Sequence, residues 1–347
     1  MEKITRNGSH DEALLYEKLA DCYAQCHVCQ WCCKLAPKGR GICGTRQNID
    51  GKINVLNYAE VTSLAIDPIE KKPLYHFFPG TNVFSLGSWG CNFHCIHCQN
   101  WEISCINGEH AANRIRIISP ENAVKLALEH NCRGIAWTYN EPAIWLEYIL
   151  DCARIAKSAG LYTVYVTNGF STPEALDTIG PYLDAYRVDI KGFSDNFYKK
   201  LARIHSWHGI LEVTKRAREK WNMHIEIITN IIPTLNDDRE QLENIARWIY
   251  ENLGELTPWH VTRFYPSYQL NNLPPTPLST LEMAYNIGQD NKLRFVYIGN
   301  VAGIDKENTI CYSCKNTVIK RTGYQTEILH LKDSHCSICG AELKIKN

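Results

Sequence analysis

Between residues 82 and 300 the chain alternates two kinds of stretch. Short apolar runs recur: VFSLG (83–87), GIAWTY (134–139), YTVYVT (162–167), AYRVDI (185–190), HIEIIT (224–229), HVTRFY (260–265) and FVYIG (295–299). Their length and their richness in valine, isoleucine and aromatics predict strands buried on both faces, as in a parallel sheet. The stretches between them carry helix ends. Ser119-Pro120-Glu121 and Thr172-Pro173-Glu174 each set a capping residue before a proline at the first helical position. Residues 143–159 run up to Gly160 and residues 238–253 up to Gly254, and glycine is a common helix stop. Ser279 and Glu282 have the spacing of a capping box. Strand–helix alternation repeated about six times implies right-handed βαβ units. The expected fold class is α/β, a partial (β/α)6-type barrel, with an open doubly wound sheet as the alternative.

The flanks break this rhythm. They suggest a cysteine-rich N-terminal module over residues 1–50, an extended linker arm over 51–80, the barrel over 81–305 and a second cysteine module over 306–347. Composition then narrows the function. Lys+Arg and Asp+Glu are both 37, a balance that argues against a nucleic-acid binder held by bulk charge. No apolar run approaches the ~18 residues of a membrane span. The first residues, MEKITRNGSHDEALLYEKLADC, lack a signal-peptide core, so a cytoplasmic location is expected. In that compartment disulfides are disfavoured, and sixteen clustered cysteines point to metal. Cys132 and Cys152 stand alone in apolar surroundings and read as buried core thiols.

In (β/α) barrels, function gathers at the carboxyl ends of the strands. The polar residues there are Gly90-Cys91, Asn140-Glu141, Asn168-Gly169, Asp189 with Lys191, Asn230 and Arg263. Ordinary turn chemistry accounts for Asn168-Gly169 and Asn230, and less well for Glu141, Asp189 and Lys191, which adjoin apolar strands. The loop after the first strand reads GCNFHCIHCQN, with Cys91, Cys95 and Cys98 spaced C-x3-C-x2-C and no fourth cysteine at a regular interval. Three thiolates can hold three irons of a [4Fe–4S] cluster and leave the fourth iron open, as a catalytic centre requires. The other reading is a zinc site completed by His94 or His97.

C-x3-C-x2-C directly after the first strand of a βα series resembles the radical SAM enzymes. GCNFHCIHCQNWEIS, DPIEKKPLYHFFPG (67–80), YNEPAIW (139–145), TNGF (167–170), VDIKGF (188–193), IIPTLND (231–237), RFYP (263–266) and YIGN (297–300) are similar to the radical SAM component of the AmmeMemoRadiSam system. That family is related to the pyruvate formate-lyase activating enzymes. The resemblance implies that Cys91, Cys95 and Cys98 hold the cluster and that S-adenosylmethionine chelates the fourth iron through its amino and carboxylate groups. One-electron cleavage then gives a 5′-deoxyadenosyl radical that abstracts hydrogen from a substrate. It also implies cofactor-binding roles: His97 against adenine, Asn140 and Glu141 at the methionine amino group, and Lys191 at the methionine carboxylate. Asp189 would bind a monovalent cation or, since Val166 replaces the second cation ligand, pair with Lys191. Arg263 would meet a substrate or cofactor carboxylate. The implied partners are a flavodoxin or ferredoxin as reductant, and Memo-like and AMMECR-like proteins. A glycyl-radical activase is the alternative function, and a non-catalytic zinc-binding adaptor a third.

The flanking cysteines read differently. CYSC (311–314) and CSIC (336–339), separated by 21 residues, suggest a zinc-ribbon or rubredoxin-like site on Cys311, Cys314, Cys336 and Cys339, holding zinc or iron. A segment of about 40 residues needs such a staple, having little core of its own. Near the N-terminus, Cys26, Cys29, Cys33 and Cys43 offer four ligands for zinc or a second cluster, with Cys22 and Cys32 in excess. KRAREK (215–220) reads as a solvated helix face, and Trp137, Trp145 and Trp248 as core.

Overall fold

A computed structural model describes residues 12–105 and 112–347, so the first eleven residues of the expected N-terminal module lie outside the described residues. The seven expected strands form, in chain order, one parallel array. They are β2 (Asn82–Gly87), β3 (Gly134–Trp137), β4 (Tyr162–Thr167), β5 (Ala185–Asp189), β6 (His224–Ile231), β7 (Trp259–Arg263) and β8 (Val296–Gly299). An eighth strand, β1 (Ser63–Pro68), comes from the stretch expected as an arm and pairs antiparallel along the outer edge of β2. The order β8-β7-β6-β5-β4-β3-β2-β1 makes a mixed, largely parallel sheet consistent with a partial barrel.

Six helices cross between the parallel strands: α1 (Pro120–Glu129), α2 (Leu146–Ser158), α3 (Pro173–Ile179), α4 (His208–Glu219), α5 (Arg239–Leu253) and α6 (Leu278–Asp290). Ser119, Thr172 and Asp238 cap α1, α3 and α5 by accepting from the backbone N–H three residues on. The expected cap at Ser279 does not form. Extended Pro277 starts α6 at Leu278 and puts Ser279 inside the helix. The stretch expected as one helix from 143 is a 3-10 turn, Pro142–Trp145, followed by α2. Trp137, Trp145, Cys132 and Cys152 are buried in the core and Trp248 packs against it. Among the described residues no helix is long and apolar enough to cross a membrane.

The N-terminal segment shares this core. Ala24, Val28, Leu35, Ile53 and Val55 pack in one cluster with Trp145, Tyr148 and Ile149. A buried ion pair fastens it: both Arg46 Nη atoms donate to Glu147 of α2 at 2.7 Å, with the two side chains 2% and 0% exposed.

The other end of the sheet is closed by the segment around Tyr75 and His76. Fully buried Glu226, near the start of β6, accepts from the backbone N–H of Tyr75 (3.0 Å) and His76 (2.7 Å) and from His224 (2.9 Å) and His260 (2.7 Å). Burial alone would raise its carboxyl. The two imidazole N–H donors hold it below the usual range instead. Tyr75, Phe295 and Tyr297 pack here with Cys311, Val318, Ile319 and Leu343 of the C-terminal segment, and Arg321 donates to the Tyr75 carbonyl at 2.8 Å. The C-terminal cysteines therefore sit at the strand starts, away from the strand ends expected to carry function.

Removing one member of a buried ion pair strands the other charge, at about 3–5 kcal/mol, whereas replacing both with apolar residues costs much less. Glu147→Ala is therefore expected to destabilise by that amount, and Arg46→Met with Glu147→Leu to recover most of it. Guanidinium denaturation followed by circular dichroism compares them. Equal losses in the two variants contradict the assignment.

Candidate active site

The chain leaves β2 and turns sharply at Gly90. Its φ is +81°, and a Cβ there would stand 2.4 Å from the Cys43 carbonyl oxygen. Glycine is required both for the left-handed backbone and for the close approach. The cysteine loop follows, ending in a short helix, Trp101–Ser104. Three hydrogen bonds pin this loop. Trp31 Nε1 donates to the Asn92 carbonyl (2.8 Å), Asn168 Nδ2 to Asn92 Oδ1 (2.8 Å), and Asn100 Nδ2 to the Tyr139 carbonyl (2.8 Å). Cys91, Cys95 and Cys98 all line one cavity of about 350 Å³, together with His97, Asn140, Glu141, Asp189 and Lys191. Asn168 and Asn230 line it too, so of the expected barrel-top residues only Gly90, Gly169 and Arg263 are not among its lining. The Arg263 side chain donates from Nε to the Thr276 carbonyl (2.9 Å) and packs its guanidinium against Tyr265.

The donor set fits an iron–sulfur cluster. Burial pushes the Cys91 thiol well above its ordinary range and the Cys95 thiol up to about 12. Such thiols surrender their protons to a bound cation, not to water. The Phe93 N–H points at Cys91 Sγ (3.4 Å), a donor suited to a thiolate. His97 Nδ1 and Arg187 Nε are buried without a partner on residues that line the cavity, leaving hydrogen-bonding capacity for a polar guest. Burial pulls the His97 imidazole down to about 3, so the ring facing the cavity is neutral.

Charge is arranged in two trios. Asp189 accepts from Arg187 (2.6 Å) and Lys191 (2.8 Å). Burial alone would raise Asp189, and those two cations hold it down. Burial would likewise lower Lys191, and Asp189 more than offsets that. Asp67 accepts from Lys71 (2.8 Å), Lys72 (2.6 Å) and the Tyr139 hydroxyl (2.9 Å), and Lys72 sits over the Tyr139 ring at 4.7 Å. Each trio has one carboxylate between two cations, so each presents a net positive charge. Lys71, Lys72, Tyr139 and Arg187 line the cavity but were not among the expected site residues. A charge inside the apolar run AYRVDI was the available signal for Arg187. Lys71 and Lys72 come from the segment before β2, and nothing in their local pattern shows where that segment returns.

Glu141 caps the 3-10 turn and also ties two strand ends together. Its oxygens accept from Ala143 N (3.0 Å), Thr167 Oγ1 (2.7 Å) and Asn168 N (2.7 Å). Burial outweighs these donors and pushes its carboxyl up to about 7. Asn140 braces the start of the cysteine loop, accepting from Ser88 N (3.1 Å) and donating to the Gly90 carbonyl (3.0 Å).

The other cysteines form two further groups. Cys26, Cys29, Cys33 and Cys43 line a second, smaller cavity, and Cys22 and Cys32 are not among its lining residues. The sulfurs of Cys311, Cys314, Cys336 and Cys339 all lie within 4.8 Å of one another, so this set can chelate a single metal ion.

A family model described as the radical SAM superfamily matches residues 88–249, from the cysteine loop through most of α5. An uncharacterized protein of Methanocaldococcus jannaschii is 42% identical over 96% of this chain and 99% of its own length. The pyruvate formate-lyase-activating enzyme of Clostridium pasteurianum is 23% identical over 52% of this chain and 77% of its own. Among solved structures, Streptococcus suis SuiB bound to S-adenosylmethionine has the same fold over 68% of this chain and 54% of its own, at a TM-score of 0.50 and 10% identity. With its three loop cysteines, its largely parallel sheet and these relatives, the chain belongs to the radical SAM superfamily.

Proposed function

We propose that Cys91, Cys95 and Cys98 hold a [4Fe–4S] cluster and that the adjoining cavity binds S-adenosylmethionine. The observation that carries this reading is one cavity lined by three half-buried thiols, a cationic trio and a buried carboxylate. When bound, the cluster and S-adenosylmethionine supply a 5′-deoxyadenosyl radical for hydrogen abstraction. The chain's own residues orient and exclude. Lys191, steadied by Asp189 and Arg187, attracts the methionine carboxylate. Glu141 receives the methionine ammonium. The neutral His97 ring offers the adenine a flat face. Lys71 and Lys72 give the cavity a second positive wall, suited to an anionic group on the substrate. The walls keep the site largely dry, which limits quenching by water. The C-terminal cysteines hold a structural zinc that ties the two halves of their own segment together.

Installing a glycyl radical on a partner protein is a second reading. It is favoured by the similarity to the Clostridium pyruvate formate-lyase-activating enzyme. Both readings share the same first step.

Three outcomes are expected. Anaerobically purified, dithionite-reduced protein yields 5′-deoxyadenosine from S-adenosylmethionine by chromatography, and Cys95→Ala reduces this to background. Cleavage retained by Cys95→Ala refutes the assignment. Glu141, raised from the ordinary 4.5 to about 7, is protonated below that pH and cannot pair with an ammonium. In the ligand-free fold this raised carboxyl contributes stability that is lost as pH rises toward 7. For binding the sign is reversed: the Kd for S-adenosylmethionine, by calorimetry, rises roughly tenfold per unit as pH falls below 7. Glu141→Gln binds weakly at every pH, and a wild-type Kd flat from pH 8 to pH 6 counts against the role. Elemental analysis finds one zinc per chain, lost with a fall in Tm in Cys314→Ser. Zinc retained by that variant rules the site out.

A further inference from the structure

The second cavity lies where the N-terminal segment meets the loop of Cys91, Cys95 and Cys98. We infer that Cys26, Cys29, Cys33 and Cys43 bind a second [4Fe–4S] cluster, one closed by four protein thiolates. Its role as an electron carrier to the first cluster rests on the function proposed above.

Convergence comes first. The four thiols arrive from a strand end, two turns and a separate loop, yet all line one small cavity, completed by Val28, Gly41, Arg46 and Ile144. Backbone N–H groups of Val28, Trp31 and Ile42 face the sulfurs of Cys26, Cys29 and Cys33, donors that would meet the sulfurs of a bound cluster. Apart from Arg46 and the thiols, the lining is apolar, the dry surroundings an iron–sulfur cluster needs.

Spacing separates a cluster from a single ion. One zinc draws four sulfurs to bond lengths of about 2.3 Å around a common centre, so they crowd together. A cubane seats each thiolate on a different iron, so its ligands stand further apart. Among the described residues, the C-terminal four are the one set of three or more Cys, His or carboxylate donors within 4.8 Å of one another. The N-terminal four share one cavity at wider spacing, like Cys91, Cys95 and Cys98.

Arg46 supplies an independent pointer. It is 1% exposed and lines this cavity. Its two Nη atoms are taken by Glu147, but Nε is buried with no partner. A buried N–H without an acceptor is costly, and a cluster sulfur is an acceptor of the right charge.

The position fits electron passage. Gly90, the residue before Cys91, packs against the Cys43 carbonyl, and Trp31 reaches Asn92 between Cys91 and Cys95. The two sites share a wall. A cluster with no open coordination position makes no bond to substrate. It accepts one electron from a low-potential donor and passes one on, with no atom transferred.

The test is iron, acid-labile sulfide and zinc per chain in protein purified anaerobically, with electron paramagnetic resonance after dithionite reduction. Wild type is expected to hold about eight irons and eight sulfides, two cubanes' worth, and the variant with Cys91, Cys95 and Cys98 all changed to alanine about four of each with a [4Fe–4S]⁺ signal. Cys29→Ala with Cys33→Ala is expected to lose the other four while keeping its C-terminal zinc, which serves as the check on folding. A wild type with four irons and a second zinc, all of its iron vanishing in the loop variant, overturns the inference and leaves the proposed function standing. A wild type with only four irons in all, which survive in the loop variant and vanish in the N-terminal one, supports the inference and refutes the loop assignment. If the N-terminal variant does not fold, the loop variant alone decides.

Discussion

Gly90 has no room for a side chain, and the geometry of the carboxyl end of the sheet follows from that. Its backbone passes so close to the Cys43 carbonyl that even a methyl group would overlap it. The approach locks the N-terminal segment against the exit of β2 and aims the next eight residues across the sheet rather than along it. Asn92 then becomes a junction, its carbonyl held by Trp31 and its side chain by Asn168. Further along, His94 and Ile96 donate from their backbone N–H groups to the Ala202 and Leu201 carbonyls, and the Ile96 carbonyl accepts from Gln269 and Leu270, so the thiols are positioned from several sides.

Burial sets the chemistry on both sides of that junction. Acids buried here are pushed up unless a cation answers them, and the site uses both outcomes. Asp189 and Asp67 are answered, leaving each trio with a net positive charge at the cavity wall. Glu141 and the cysteines are not answered, so they stand ready for an ammonium and for metal. At the opposite end Glu226 is satisfied by four donors and has no need of a guest. The contrast separates the end of the sheet that is built to bind from the end that is built to hold.

Much of this was legible in the sequence because it is local. Each parallel strand is an apolar run of a few residues, and Ser119, Thr172 and Asp238 announce their helices from the positions they cap. The cysteine loop and Asn140-Glu141 lie directly after their strands, so the βα alternation alone places them at one end. What escaped depends on contacts distant in sequence. Arg46 and Glu147 are 101 residues apart, and neither has a local pattern that names the other. Lys71 and Lys72 reach the cavity only because β1 folds back along β2. The four N-terminal cysteines named from the sequence, by contrast, are those that line the second cavity. Arg263 shows the converse. Its position at the end of β7 pointed to the cavity, but the Thr276 carbonyl takes its Nε.

The central claim is that the loop of three cysteines leaves one iron open for S-adenosylmethionine. Electron-nuclear double resonance on the reduced protein, with S-adenosylmethionine labelled at the methionine nitrogen and carboxylate oxygens, tests it most directly. The account predicts hyperfine coupling of both labels to a cluster, absent in Cys95→Ala. A cluster signal in the wild type with no coupling to either label would contradict it.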